Sequence, residues 1–390
     1  MFEAAAAFAA AHHAFGAIVV ACAAGAAATP LLAYALARRV GTGDLAAAIA
    51  AFLTVGSRFT ASAMRPETFA VDLFALELLV LAGLGPAVLV LPIVALWANL
   101  HASAVFAPAS ALVVAAAALV ARERALVRRA LGIAAWSALG TLLSPHGMRL
   151  WAYAWSLSFA PSPARAHLEA WQPLSFATAG GVAAVLPGLL CAAAFGLVLR
   201  RRALPELALA AFTFALTVLH ARYAVFLCVA WTPALARALD LRSPLRALRQ
   251  APRAPLIVVA PLVLYALLGV PHAWRARVDP PGAHSAAADI IARHRLHGNA
   301  YVSYGWAAYM RYRGLPVRVL IDGHGDPYPP DVWNDHIALL ELRSNWHDVL
   351  ERRDIRIVAL PPTAPLVQAL GLDPAWHRIG ASNGAVVLAR

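Results

Sequence analysis

Apolar residues run in long blocks over the first 270 positions and then give way to a mixed pattern. Blocks at 16–36, 44–57, 69–84, 86–99, 102–121, 129–143, 182–199, 204–219, 223–239 and 254–270 predict about ten transmembrane helices, a crossing taking roughly 20 apolar residues. Several blocks hold only 14–16 residues, the length of broken, re-entrant or protein-shielded helices. Alanine fills much of them, and small side chains let helix backbones approach closely where lipid removes the hydrophobic drive.

Beyond Pro271 the periodicity changes. Residues 283–295 predict a helix, and 299–304, stopped by Gly305, predict a strand. Val317–Ile321, Ile355–Leu360 and Ala385–Leu388 predict three more strands, and 331–352 predicts a helix with Trp333, Ile337, Leu340 and Trp346 on its apolar face. The expected fold is an all-α polytopic membrane bundle over 1–270, followed by a small α/β extracytoplasmic domain over 271–390.

Composition sharpens the division. The chain is 61% hydrophobic and 13% charged, with mean hydropathy +0.67, which excludes a soluble enzyme for most of its length. Asp and Glu number 9 before residue 271 and 11 after it, while Arg numbers 19 and 13, so the net charges are +10 and +2. A total of +12 in a soluble protein would suggest nucleic acid; here the apolar blocks assign it to membrane-flanking loops, and no nucleic-acid partner is expected. One set of loops holds 14 arginines, Arg38, Arg39, Arg129 and Arg237 among them, and the other holds 5: Arg58, Arg65, Arg149, Arg165 and Arg222. The arginine-rich set is expected in the cytoplasm of a bacterial inner membrane, which puts the loop 144–181, the C-terminal domain and the N-terminus outside. An outward N-terminus without a signal peptide leads us to expect a further span upstream of Met1.

Ionisable groups near membrane depth are the candidates for chemistry. Asp72 and Glu77 lie in one block, five residues apart and so on different faces. Arg65-Pro66-Glu67 opens the same block: Pro and Glu suit a helix start, and Arg65 with Arg58 suits a phosphate. Trp97-Ala98-Asn99-Leu100-His101 closes a block, with Trp97 read as an interfacial anchor and Asn99 and His101 either capping helix ends or facing a polar cavity. His146 occupies a turn at 144–147; Glu169 stands beside Trp171 in the outer loop; Arg222 sits at the outer end of a block, suited to a lipid phosphate. Asp322-Gly323-His324-Gly325-Asp326 reads as a tight turn, with a cation site as its alternative.

In order along the chain, Arg65-Pro66, Trp97 to His101, Pro145 to Gly147, Glu169 to Pro173 and Ile321-Asp322-Gly323 resemble a family of bacterial multi-pass proteins related to the GT-C glycosyltransferases. That resemblance implies transfer of a sugar from a polyprenyl-phosphate carrier on the outer face of the cytoplasmic membrane. It implies as partners the lipid bilayer and the lipid-linked sugar; it leaves the cofactor open, a divalent cation being the candidate, and assigns no metal ligand. Glu67, Glu169 and His101 are then the catalytic candidates, and Arg65, Arg222, His146 and Asn99 the candidates for the substrate or its lipid phosphate. Family members carry an acidic loop after their first span, which this chain lacks; Phe2-Glu3 resembles its tail, so a truncated or inactive form is expected. Two other functions fit parts of the pattern. A transporter or flippase would use Asp72 and Glu77, and a non-catalytic scaffold would bind a partner through its outer domain.

Overall fold

A computed structural model describes residues 15–55, 66–160, 171, 173, 204–242, 256, 260, 282–323 and 328–390. The chain is mostly helical, with a small mixed sheet near its C-terminus. Two compact units divide it: Met1–Ala160 with Leu168–Ala276, and Pro161–His167 with Arg277–Arg390.

The first unit contains α1 (Phe15–Arg39), α2 (Asp44–Val55), α3 (Glu67–Leu81), α4 (Val90–Leu100), α5 (Phe106–Val120), α6 (Arg124–Leu142), α7 (Arg149–Phe159), α8 (Leu204–Leu219) and α9 (Ala224–Arg242). Among the described residues, three helical segments are long and apolar enough to cross a membrane: Phe15–Arg39, Ala102–Val120 and Ala221–Asp240. That is fewer than the ten expected. The blocks at 182–199 and 254–270 fall on residues almost wholly outside the described set. Others form helices too short for a 30 Å apolar core: α3, at 15 residues, rises about 22 Å and is mostly buried against its neighbours. Hydropathy registers apolar composition, which a helix shielded by protein shares with one facing lipid.

Close helix approach holds this unit together. A side chain at Gly140 on α6 would meet the Leu91 carbonyl and Val94 Cβ of α4 at 3.0 Å, so only a hydrogen fits there. Alanines at 0% exposure line α2, α3 and α5 for the same reason. The aromatic centre is Trp97, fully buried, stacked on Phe226 with centroids 6.0 Å apart and edge-on to Phe74. Trp97 is therefore a core residue rather than the interfacial anchor expected, because α4 is packed by α3 on one side and α6 on another.

The second unit carries α10 (Ala283–Arg293), β1 (Gly298–Val302), α11 (Tyr304–Tyr312), β2 (Val317–Val319), α12 (Pro330–Leu340), α13 (Trp346–Arg352), β3 (Ile355–Leu360), α14 (Pro365–Leu370), β4 (His377–Ser382) and β5 (Ala385–Ala389). Strand order is β2-β1-β3-β5-β4; the first three are parallel, and β5 runs antiparallel to β3 and β4. Alternate side chains serve two cores: Ala300, Val302 and Ile357 pack with α10 and α11, while Tyr301, Val358 and Leu360 pack with α12, α13 and α14. β4 escaped the sequence because its HRIGAS pattern has no buried face. An Asn383-Gly384 turn with both φ angles positive (44° and 78°) forces the hairpin that recruits it. The helix expected over 331–352 is broken at Leu342, where φ is 54°, and Leu340 is half-exposed while Leu339 takes the core position. Gly305 lies inside α11 and does not end a strand.

Candidate functional site

Three helix ends bring the polar groups of the first unit together. Glu67 is the first residue of α3, His101 follows the last residue of α4, and Arg222 lies in the turn that opens α9. Glu67 Oε1 accepts a charged hydrogen bond from the Arg222 guanidinium and faces His101 Nε2 at 3.4 Å. Side-chain exposures of 19%, 17% and 18% place all three partly out of water. A carboxylate in such surroundings stays ionised only with a cation beside it, which Arg222 supplies.

The hydrogen-bond chain behind His101 decides its tautomer. The Ser103 backbone N–H donates to His101 Nδ1 at 3.1 Å, so Nδ1 bears a lone pair and the ring proton sits on Nε2, toward Glu67. Trp97 Nε1 donates to Ser103 Oγ at 3.0 Å, and that hydroxyl lies 2.7 Å from Nδ1. An ordered run from the buried core to the carboxylate results. Ser103 was not singled out in the sequence, though its place two residues after a helix-terminating His is a recognisable local bonding pattern.

Arg222 has a second neighbour. Its guanidinium carbon lies 4.0 Å from the centre of the Trp171 ring, a cation–π distance, and Trp171 is itself buried. Trp171 is anchored by His220, whose Nδ1 lies 2.8 Å from the Trp171 carbonyl and whose Nε2 lies 2.9 Å from the Ser158 carbonyl at the end of α7. Ser158 Oγ pairs with the Tyr223 hydroxyl at 2.9 Å. Tyr223 then leads into an aromatic pocket formed with Phe74, Phe106, Phe212, Phe226 and Ser110.

The remaining candidates lie elsewhere or outside the description. Arg65 and Glu169 are outside the described residues, as are Arg58, His324 and Asp326. Asn99 donates to the Ala95 carbonyl of its own helix at 2.8 Å and lies 3.5 Å from the Leu143 carbonyl. His146 is exposed in the turn between α6 and α7. Asp72 and Glu77 face different helices: Thr29 on α1 donates to Asp72 at 2.5 Å, and Ser110 on α5 reaches the fully buried Glu77 at 3.5 Å. In the second unit Asp322 is buried and paired with Arg311 at 2.9 Å.

The Glu67–His101 donor set does not suit a divalent cation. Glu67 is engaged by a guanidinium, and His101 has no free lone pair, one ring nitrogen accepting from Ser103 and the other carrying the proton. Among the described residues no group of three His, Cys, Asp or Glu side chains converges as metal ligands. No family model matches the chain, and no curated protein matches it either.

Proposed function

We propose that the chain is an integral-membrane glycosyltransferase, a multi-pass protein of the bacterial inner membrane that moves a sugar from a polyprenyl-phosphate carrier at the outer face. The observation that supports this reading is the convergence of a carboxylate, a histidine and an arginine from three helix ends, beside a pocket lined by aromatic rings. In the resting site Glu67 is a weak base, because Arg222 and His101 both stabilise its ionised form. A lipid phosphate arriving at Arg222 competes with Glu67 for the guanidinium and so raises the basicity of the carboxylate. Glu67 then takes the proton of the acceptor hydroxyl as the acceptor oxygen bonds to the anomeric carbon. The bond from that carbon to the phosphate oxygen breaks on the opposite side, and Arg222 stabilises the departing lipid phosphate. His101 holds Glu67 in place through Nε2–H. No step runs through a metal ion.

The test uses the full chain in lipid nanodiscs with a radiolabelled polyprenyl-phosphate sugar. Glu67→Gln is expected to lower transfer about 100-fold or more, the scale of a lost general base. Wild-type protein without transfer, or Glu67→Gln as active as wild type, overturns the assignment. A carrier would instead depend on Asp72 or Glu77, and would move labelled substrate across proteoliposomes without forming a glycosidic product.

A further inference from the structure

Both ring nitrogens of His220 face atoms that can only accept. The Trp171 carbonyl lies 2.8 Å from Nδ1 and the Ser158 carbonyl 2.9 Å from Nε2, while a neutral imidazole has one N–H to give. With one proton removed, a ring lone pair would point at a carbonyl lone pair across a hydrogen-bond distance, on a residue only 8% exposed. The geometry therefore describes an imidazolium. His101, two helix ends away in the same site, is the internal contrast: its Nδ1 accepts from a backbone N–H.

We propose that His220 is a positioning residue acting as an acid–base clasp: doubly protonated, it ties Trp171 to the end of α7 and so holds the indole over Arg222. Loss of one proton breaks the bond to Trp171 rather than the one to Ser158. Ser158 is fixed independently, as part of α7 and through its hydroxyl on Tyr223. Trp171 then leaves the face of Arg222 that it covers at 4.0 Å. The charged and titratable groups around the clasp are Arg222 and Tyr223 of its own turn, with Glu67 of α3 and His101 after α4 reached through Arg222; α7 presents the Ser158 hydroxyl and carbonyl. Arg222 opposes the imidazolium, and Glu67 with the two carbonyls favours it. The inference rests on this constellation and is independent of which group the protein transfers.

The experiment is magnetic resonance on the full chain in nanodiscs, with ring-¹⁵N histidine and fluorine-labelled tryptophan, across about pH 5 to 8, where histidine titrates. His220→Gln and Trp171→Phe assign the two signals. The clasp predicts two protonated ring nitrogens on His220 at the acid end and a Trp171 fluorine shift with the same midpoint, absent in His220→Gln. A His220 ring with a single protonated nitrogen throughout, or a Trp171 signal indifferent to pH in the unmutated protein, overturns it. Both decisive readings come from wild-type protein, and neither depends on sugar transfer.

Discussion

The two ends of the helical unit use arginine in opposite ways. At one end Arg39 donates to the Gly83 carbonyl, Arg129 to the Val80 and Gly85 carbonyls, and Arg237 to the Val40 carbonyl. These carbonyls close α1 and α3, where the helix leaves its last acceptors unpaired and its dipole favours a cation. At the other end Arg222 stands before the first turn of α9, where the dipole repels a positive charge, and it needs Glu67 and the Trp171 ring to remain there. Arginines at helix C-termini thus do structural work that any bundle requires. An arginine held against the local field signals a site.

Breaking the Glu67–Arg222 pair should have the largest effect on stability. Glu67→Ala or Arg222→Ala is expected to cost about 3 kcal/mol, since either leaves a partly buried charge uncompensated. The double variant should cost less than the two together, giving a coupling energy measurable by denaturant unfolding in detergent. Additive costs would mean the pair is not an energetic unit. Next comes Arg129→Ala at the opposite end, which strips the hydrogen bonds at Val80 and Gly85 and is expected to cost about 2 kcal/mol by the same measurement. It should leave activity per folded molecule unchanged, whereas Arg222→Ala should abolish it.

An exposed pair in the C-terminal unit supplies the lower end of the scale. The hydrogen bond from Arg353 draws the Asp331 carboxyl below its ordinary value. A depressed carboxyl stabilises the fold fully above its unfolded value, about 3.9, and loses that contribution as pH falls through the lower folded value. Asp331→Asn should therefore lower Tm slightly near neutral pH, and the difference from wild type should close on acidification. A gap that widens in acid would contradict the assigned direction.

Glu67, His101 and Arg222 were chosen in the sequence for standing at the ends of apolar blocks, and their meeting could not be read there. Glu67 and Arg222 are 155 positions apart, and no local pattern encodes a contact at that separation. All four expected strands lie within two residues of their observed limits, and Ile355–Leu360 coincides with β3; β1, β3 and β5 alternate between two apolar cores. β4 carries no apolar run to mark it, being an edge strand with exposed side chains, and its one local signal is the Asn383-Gly384 turn.

From the sequence alone came the division into an apolar helical part and an ordinary α/β part, and the segregation of arginines, since both follow from transferring single side chains between water and an apolar phase. Arg39, Arg129 and Arg237 donate to carbonyls at the C-terminal ends of α1 and α3. Tertiary structure decided that Trp97 is core, that α3 is shielded by protein, and which partners His101 and His220 each meet. Those outcomes depend on which donor or acceptor a distant segment presents at about 3 Å, a property of pairs of positions that a single chain order does not contain.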